Sequence, residues 1–143
     1  MRDNEYGMLI NMVSRKIKKR MNSTLSDIGI TGVQGRMIHY IVDHYTDEPV
    51  FQRDIESKFE LSRSTVTCVL QLLEKNGYIL RENVSYDGRL KKLIPTEKSL
   101  LAAEKMGECV AETELVMTKD LSPGQLQLFM EIISKMYRNL DEK

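Results

Sequence analysis

Residues 51–95 limit what this chain can fold into more than any other stretch. Residues 51–59 (FQRDIESKF) read as a short helix with Ile55 and Phe59 on one face, Leu61 fills a turn, and residues 62–76 (SRSTVTCVLQLLEKN) read as a second helix. Ser62 marks its start, because a serine hydroxyl at that position accepts a free backbone N–H. Val66, Val69, Leu70 and Leu73 recur at helical spacing and are expected to pack on the first helix. The opposite face carries Arg63, Ser64, Thr65, Thr67, Cys68 and Gln71, short or polar side chains with no acid among them. They lie toward the N-terminal end of the helix, where its dipole favours phosphate. Gly77 ends the helix.

A hairpin is expected next. Residues 78–82 (YILRE) and 91–95 (KKLIP) read as its strands, with 83–89 (NVSYDGR) between them and Asp87-Gly88 as the turn signal. Helix, turn, helix and a hairpin tipped with Arg89 make the layout of a winged helix-turn-helix. In that layout one helix enters the major groove of double-stranded DNA and the hairpin tip reaches the adjacent minor groove.

The run LSRSTVTCVLQLLEKNGYILRENVSYDGRLKKLIPTEKS resembles the signature region of the MarR-type bacterial transcription regulators. The resemblance rests on Ser62, Thr65, Val66, Thr67, Leu73, Glu74, Lys75, Gly77 and Arg81, on Asp87 and Arg89, and on Thr96, Glu97 and Lys98. The distances from Gly77 to Arg81, Asp87 and Arg89 also match that family's wing. Two positions depart from the pattern: Cys68 stands where the family commonly has Arg, and Glu82 where it often has a second Arg. The resemblance implies a mainly α (α+β) fold and a homodimer that binds a pseudo-palindromic operator. It also implies a repressor relieved by a small aromatic or amphipathic effector. The polar helix face and the resemblance together give the expected DNA-contact set: Ser62, Arg63, Ser64, Thr65, Thr67, Cys68, Gln71, Arg81, Asp87, Arg89 and Lys91.

Charge adjusts this expectation without removing it. The 21 basic and 21 acidic side chains cancel, whereas a nucleic-acid binder is often basic overall. Their distribution matters more: residues 51–99 hold nine Lys/Arg against seven Asp/Glu, and residues 100–143 hold five against eight. The reading head is therefore slightly positive and the tail negative, which favours specific contacts over nonspecific affinity. Residues 14–20 (SRKIKKR) carry five basic residues; a solvated helix face explains them better than a DNA-backbone contact does.

Several classes are excluded. No apolar run approaches the roughly 18 residues of a membrane span, and the polar start lacks a signal-peptide pattern. Cys68 and Cys109 match no zinc spacing, which points to the reduced cytoplasm. His39 and His44, five residues apart, lie roughly 140° apart around a helix and form no metal pair; at least one reads as a core or pocket histidine. With no Ser/His/Asp set, carboxylate pair, metal spacing or phosphate loop, an enzyme is the weakest reading and no cofactor is implied.

Outside the head, residues 6–25 read as a long helix with Leu9, Val13, Ile17 and Met21 on one face. Thr31 and Gln34 fit a capping box opening a helix to about Tyr45, and Val50-Phe51 offers a short third strand to the wing. Thr96 caps a helix to about Lys119 with apolar positions at Leu100, Leu101, Ala103, Met106, Val110, Val116 and Met117. Ser122, Pro123 and Gln125 start the last helix, along which Leu126, Phe129, Ile133, Met136 and Leu140 form a packing seam. The organisation expected is one domain over 1–143, with a DNA-binding lobe at 31–99 and helical dimerisation regions at 1–30 and 100–143. Leu9 and Val13 are expected to join the seam in the dimer. Met12, Met37, Tyr40 and Met106 are candidates to line an effector pocket. Two other readings stand beside this one: a winged-helix module that binds protein and not DNA, and a thiol-based sensor acting through Cys68.

Overall fold

The computed structural model describes residues 5–142. Among them the elements run α1 (Tyr6–Leu25), a short 3-10 turn (Ser26–Ile28), α2 (Gly32–His44), α3 (Gln52–Phe59), α4 (Arg63–Lys75), β1 (Ile79–Val84), β2 (Asp87–Pro95), α5 (Glu97–Met117) and α6 (Pro123–Asn139). The chain divides into two units, one ending at Val110 and one beginning at Ala111.

The starts of α2 to α6 are held by side chains within four residues, whereas α1 has no side-chain cap. The Thr31 hydroxyl accepts the Gln34 N–H at 3.2 Å, and the Gln34 amide oxygen accepts the Thr31 N–H at 3.0 Å. Ser122 and Gln125 repeat the arrangement at α6, with Pro123 in the first position. At α4 the Ser62 hydroxyl accepts the Thr65 N–H at 3.2 Å. At α5 a buried serine replaces the usual Glu or Gln: the Thr96 N–H donates to Ser99 Oγ at 2.7 Å and the Ser99 N–H to Thr96 Oγ1 at 3.4 Å. α4 gives way to the wing through Gly77 at φ 81°, a left-handed conformation that costs glycine nothing.

The core of the first unit gathers Met37, Ile38 and Ile41 of α2, Ile55 of α3, Val66, Leu70 and Leu73 of α4, and Ile79 and Leu93 of the hairpin. Leu25, Ala102, Ala103 and Met106 complete it, so the core reaches past residues 31–99 on both sides. On α5 the inward stripe is Ser99, Ala102, Ala103, Met106 and Cys109, whereas Leu100 and Leu101 are exposed. Val116 and Met117 are exposed as well, so four of the seven apolar positions expected for this helix lie open within the single chain. Burial of Ser99 in the cap sets the rotation of the helix, and positions three, four and seven residues on follow it inward.

The wing is longer than its sequence suggests. β1 continues to Val84 and the turn is Ser85-Tyr86, so Asp87-Gly88 is not the turn but the start of β2. The antiparallel register is regular from Ile79↔Pro95 to Asn83↔Lys91 and then jumps to Val84↔Asp87. Residues 88–90 thus bulge from β2. Val84, beyond the strand expected from the sequence, is buried. Asp87 still makes a local loop, since its carboxylate accepts the Arg89 N–H at 2.9 Å, but within the bulge. The expected third strand does not form. Leu93 donates one backbone hydrogen bond to Val50 at 2.7 Å, and the Phe51 carbonyl then accepts the first bonds of α3.

Two helices keep large apolar side chains in the open. On α1 these include Leu9, Met12 and Val13. No residue of α6 is buried. Beside the expected seam, Leu128, Met130, Ile132 and Tyr137 are exposed too, so the apolar surface of α6 is wider than a single stripe.

Candidate nucleic-acid interface

α3 and α4 cross so that the buried faces of Ile55, Val66, Leu70 and Leu73 meet inside, which turns Arg63, Ser64, Thr65, Cys68 and Gln71 to the surface. The hydroxyls at the start of α4 are linked: Ser62 Oγ donates to Thr65 Oγ1 at 2.9 Å and lies 3.2 Å from Ser64 Oγ. Behind this face, between α3, α4 and the wing, runs a groove of about 410 Å³. Five residues expected at a DNA surface line it: Arg63 and Thr67 from α4, and Arg81, Arg89 and Lys91 from the hairpin. Arg53 adds a fifth cation and Glu56 is the one acid on its walls.

Three of these cations are held in different ways. Arg81 is mostly buried and its Nε lies 3.7 Å from Glu74 Oε1, which draws its stem back against α4. Arg89 is exposed and held by its backbone, whose N–H donates to Asp87, rather than by an ion pair with that carboxylate. It sits in the bulge of β2 and not at the turn, where Tyr86 stands 71% exposed. The Arg53 guanidinium stacks 4.8 Å over the Phe51 ring. Glu82, a departure from the family pattern, faces Lys92 across the strands with the charges 3.9 Å apart, so its negative charge has a local partner.

Sequence reasoning passed over Gln52 and Arg53. Both occupy the first turn of α3, and nothing in their spacing announces the groove. Gln52 donates through Nε2 to Thr67 Oγ1 at 2.8 Å, a contact that exists only once α3 has packed on α4.

The four residues suggested for an effector pocket do not line one cavity: Met37 and Met106 share the core cluster on which Tyr40 packs, and Met12 lies outside it. Met37 and Met106 are fully buried in the core, and Met12 is exposed on α1. Tyr40 alone borders open space, a second groove of about 370 Å³ that includes His44, Asp47, Glu48, Phe51 and Tyr86. There the Tyr40 ring lies 4.4 Å from that of His44 and edge-on to Phe59 at 6.0 Å. His39 is half-buried, with Nδ1 3.3 Å from Asp43. Cys68 is exposed and Cys109 buried, neither in a disulfide. Among the described residues no group of three or more His, Cys, Asp or Glu is placed to hold a metal, and no helix is long and apolar enough to cross a membrane.

Comparison with known proteins places this geometry. The MarR family matches residues 28–90, from the end of the 3-10 turn into the bulge of the wing. The HTH-type transcriptional regulator PrsX of Escherichia coli is 23% identical over 137 residues, covering 94% of this chain and 82% of its own. An uncharacterised HTH-type transcriptional regulator of Bacillus cereus is also 23% identical, over all of this chain and 97% of its own. The S. aureus MepR–DNA complex contains a chain of the same fold, with TM-score 0.90 at 24% identity over 97% of this chain and 100% of that one. The transcription regulator MarR from Oenococcus oeni matches with TM-score 0.79 at 25% identity, covering 94% and 99%. These relatives are regulators of transcription and not enzymes. Helix-turn-helix, wing and signature residues are all in place, and residues 28–90 are the part of the chain that matches the MarR family.

Proposed function

We propose that this protein is a sequence-specific, DNA-binding transcriptional regulator that acts as a homodimer, a cytoplasmic repressor released by a small effector. The observation that carries the DNA reading is the groove between α4 and the wing, where Arg53, Arg63, Arg81, Arg89 and Lys91 converge against a single acid. Such a groove attracts phosphate, and the short polar face of α4 beside it can approach base edges. Arg63 is the long donor on that face and the residue best suited to a guanine. The DNA-bound MepR neighbour supports the same reading.

The exposed apolar sides of α1 and α6 support the dimer. A leucine-sized side chain contributes about 1.5–3 kcal/mol when fully buried, and α6 with its C-cap Leu140 leaves six large apolar side chains exposed, Leu128, Phe129, Met130, Ile132, Tyr137 and Leu140. Two reading heads on a two-fold axis grip half-sites about 34–36 Å apart, and an effector that changes their separation releases the DNA. The groove beside Tyr40, with the rings of Tyr40, His44, Phe51 and Tyr86 on its walls, is the place in the first unit we assign to such a ligand.

Selection of binding sites from random DNA with the purified protein tests the function, and the recovered sites should be imperfect palindromes. Affinity for them should fall steeply with salt; a shallow salt dependence with no recovered site favours a protein-binding module instead. On such a site Arg89→Ala should weaken binding at least tenfold, about 1.4 kcal/mol, with the unfolding midpoint unchanged. An unaltered anisotropy titration removes Arg89 from the interface. Cys68→Ser should leave both affinity and the response to peroxide as they are in the wild type. Should peroxide release the wild type but not Cys68→Ser, the protein is a thiol sensor.

A further inference from the structure

Gln52 is the first residue of α3 and half-buried against α4. Its Nε2 lies 2.8 Å from Thr67 Oγ1 and 3.4 Å from the Arg63 carbonyl oxygen. A carbonyl only accepts, so the amide must present its nitrogen to both. Thr67 Oγ1 is therefore an acceptor here, and its own hydrogen is left to donate elsewhere. A helical threonine ordinarily returns that hydrogen to the carbonyl four residues back. For Thr67 that carbonyl belongs to Arg63, the one Gln52 already approaches. Among the described residues no acceptor takes the Thr67 hydrogen, and Thr67 lines the groove walled by Arg63, Arg81, Arg89 and Lys91. An oxygen entering a space so rich in cations is anionic.

We infer that Gln52 is a positioning residue: it turns the Thr67 hydroxyl hydrogen into the groove, where it donates to a backbone phosphate oxygen of bound DNA. The inference rests on the DNA-binding reading and adds to it a residue that need not touch DNA. The test is a double-mutant cycle on a duplex recovered by site selection, using Thr67→Val, Gln52→Met and the pair, with affinity read by anisotropy over a range of salt. Each single change should weaken binding about tenfold, the scale of a hydrogen bond to a charged group. The pair should be no weaker than Thr67→Val alone, because Gln52 acts only through that hydroxyl. The slope against log[salt] should stay that of the wild type, since no cation is removed. Gln52→Ala repeats the cycle and separates any packing defect peculiar to methionine. Losses that add to about a hundredfold in the pair, or no loss for either Gln52 variant, overturn the inference and leave the DNA reading intact. If the wild type selects no site, the DNA reading fails and this one falls with it.

Discussion

A chain ending at residue 121 should lose its partner and, with it, nearly all of its operator affinity. The intact protein should scatter light as a species of about 33 kDa, twice the 16.6 kDa chain, at micromolar concentration. Removing residues 122–143 deletes α6, with its seam of Leu126, Phe129, Ile133, Met136 and Leu140, and leaves every residue of the cationic groove in place. A helix that is apolar on more than one side is a helix meant for burial, and α6 buries none of its residues within one chain. The shortened protein should run as a monomer or aggregate through surfaces left uncovered. A lone head keeps half the contacts and loses the effective concentration its twin supplies, so affinity for a palindrome should fall about a hundredfold or more. An intact chain that scatters as a 16.6 kDa monomer and still binds a palindrome tightly sinks both the dimer and the head-spacing mechanism.

Leu70→Ala should have the largest effect on folding among single changes in the reading head. Leu70 is fully buried in the core at the middle of α4, and truncating a leucine in such a place costs about 2–5 kcal/mol. Leu72, two residues along the same helix, is 43% exposed, and its change to alanine should cost less than about 0.5 kcal/mol. Urea unfolding at one fixed protein concentration measures both, since a dimer's apparent stability moves with concentration. Equal losses at the two positions are incompatible with the rotation of α4 that turns Arg63, Ser64 and Cys68 outward.

What the sequence disclosed follows the range of the interactions involved. The starts of α2, α4 and α6 were legible because Thr31 with Gln34, Ser62 with Thr65, and Ser122 with Gln125 bond within three residues of one another. The hydrophobic spacing of Val66, Leu70 and Leu73 likewise fixed which side of α4 faces the core. The wing turn was misplaced because Asp87-Gly88, a turn signal by composition, opens β2 inside the bulge, while the turn itself is Ser85-Tyr86. On α5 Ala103 and Met106 were legible, but Leu100 and Leu101 drew attention away from Ser99 and Ala102, whose small side chains carry little hydrophobic signal. Gln52 and Arg53 escaped notice because their partners, Thr67 and Phe51, bring them into the groove through packing and stacking that no spacing rule encodes. The effector residues were drawn from composition, which says nothing of position: Met37 and Met106 are spent on the core, and Met12 is exposed.

The bulge in β2 separates two tasks that a regular hairpin would combine. The ladder from Ile79↔Pro95 to Asn83↔Lys91 fixes where the wing stands, while residues 88–90 lie outside that pairing. A substitution, or even a change of length, in that three-residue excursion leaves the strand register untouched, whereas the same change in a tight two-residue turn shifts every side chain beyond it to the other face. Relatives of this protein are therefore free to vary what the wing touches by altering the excursion alone. Diversification of target sequence should concentrate there, with the flanking strands held constant by their packing against the core.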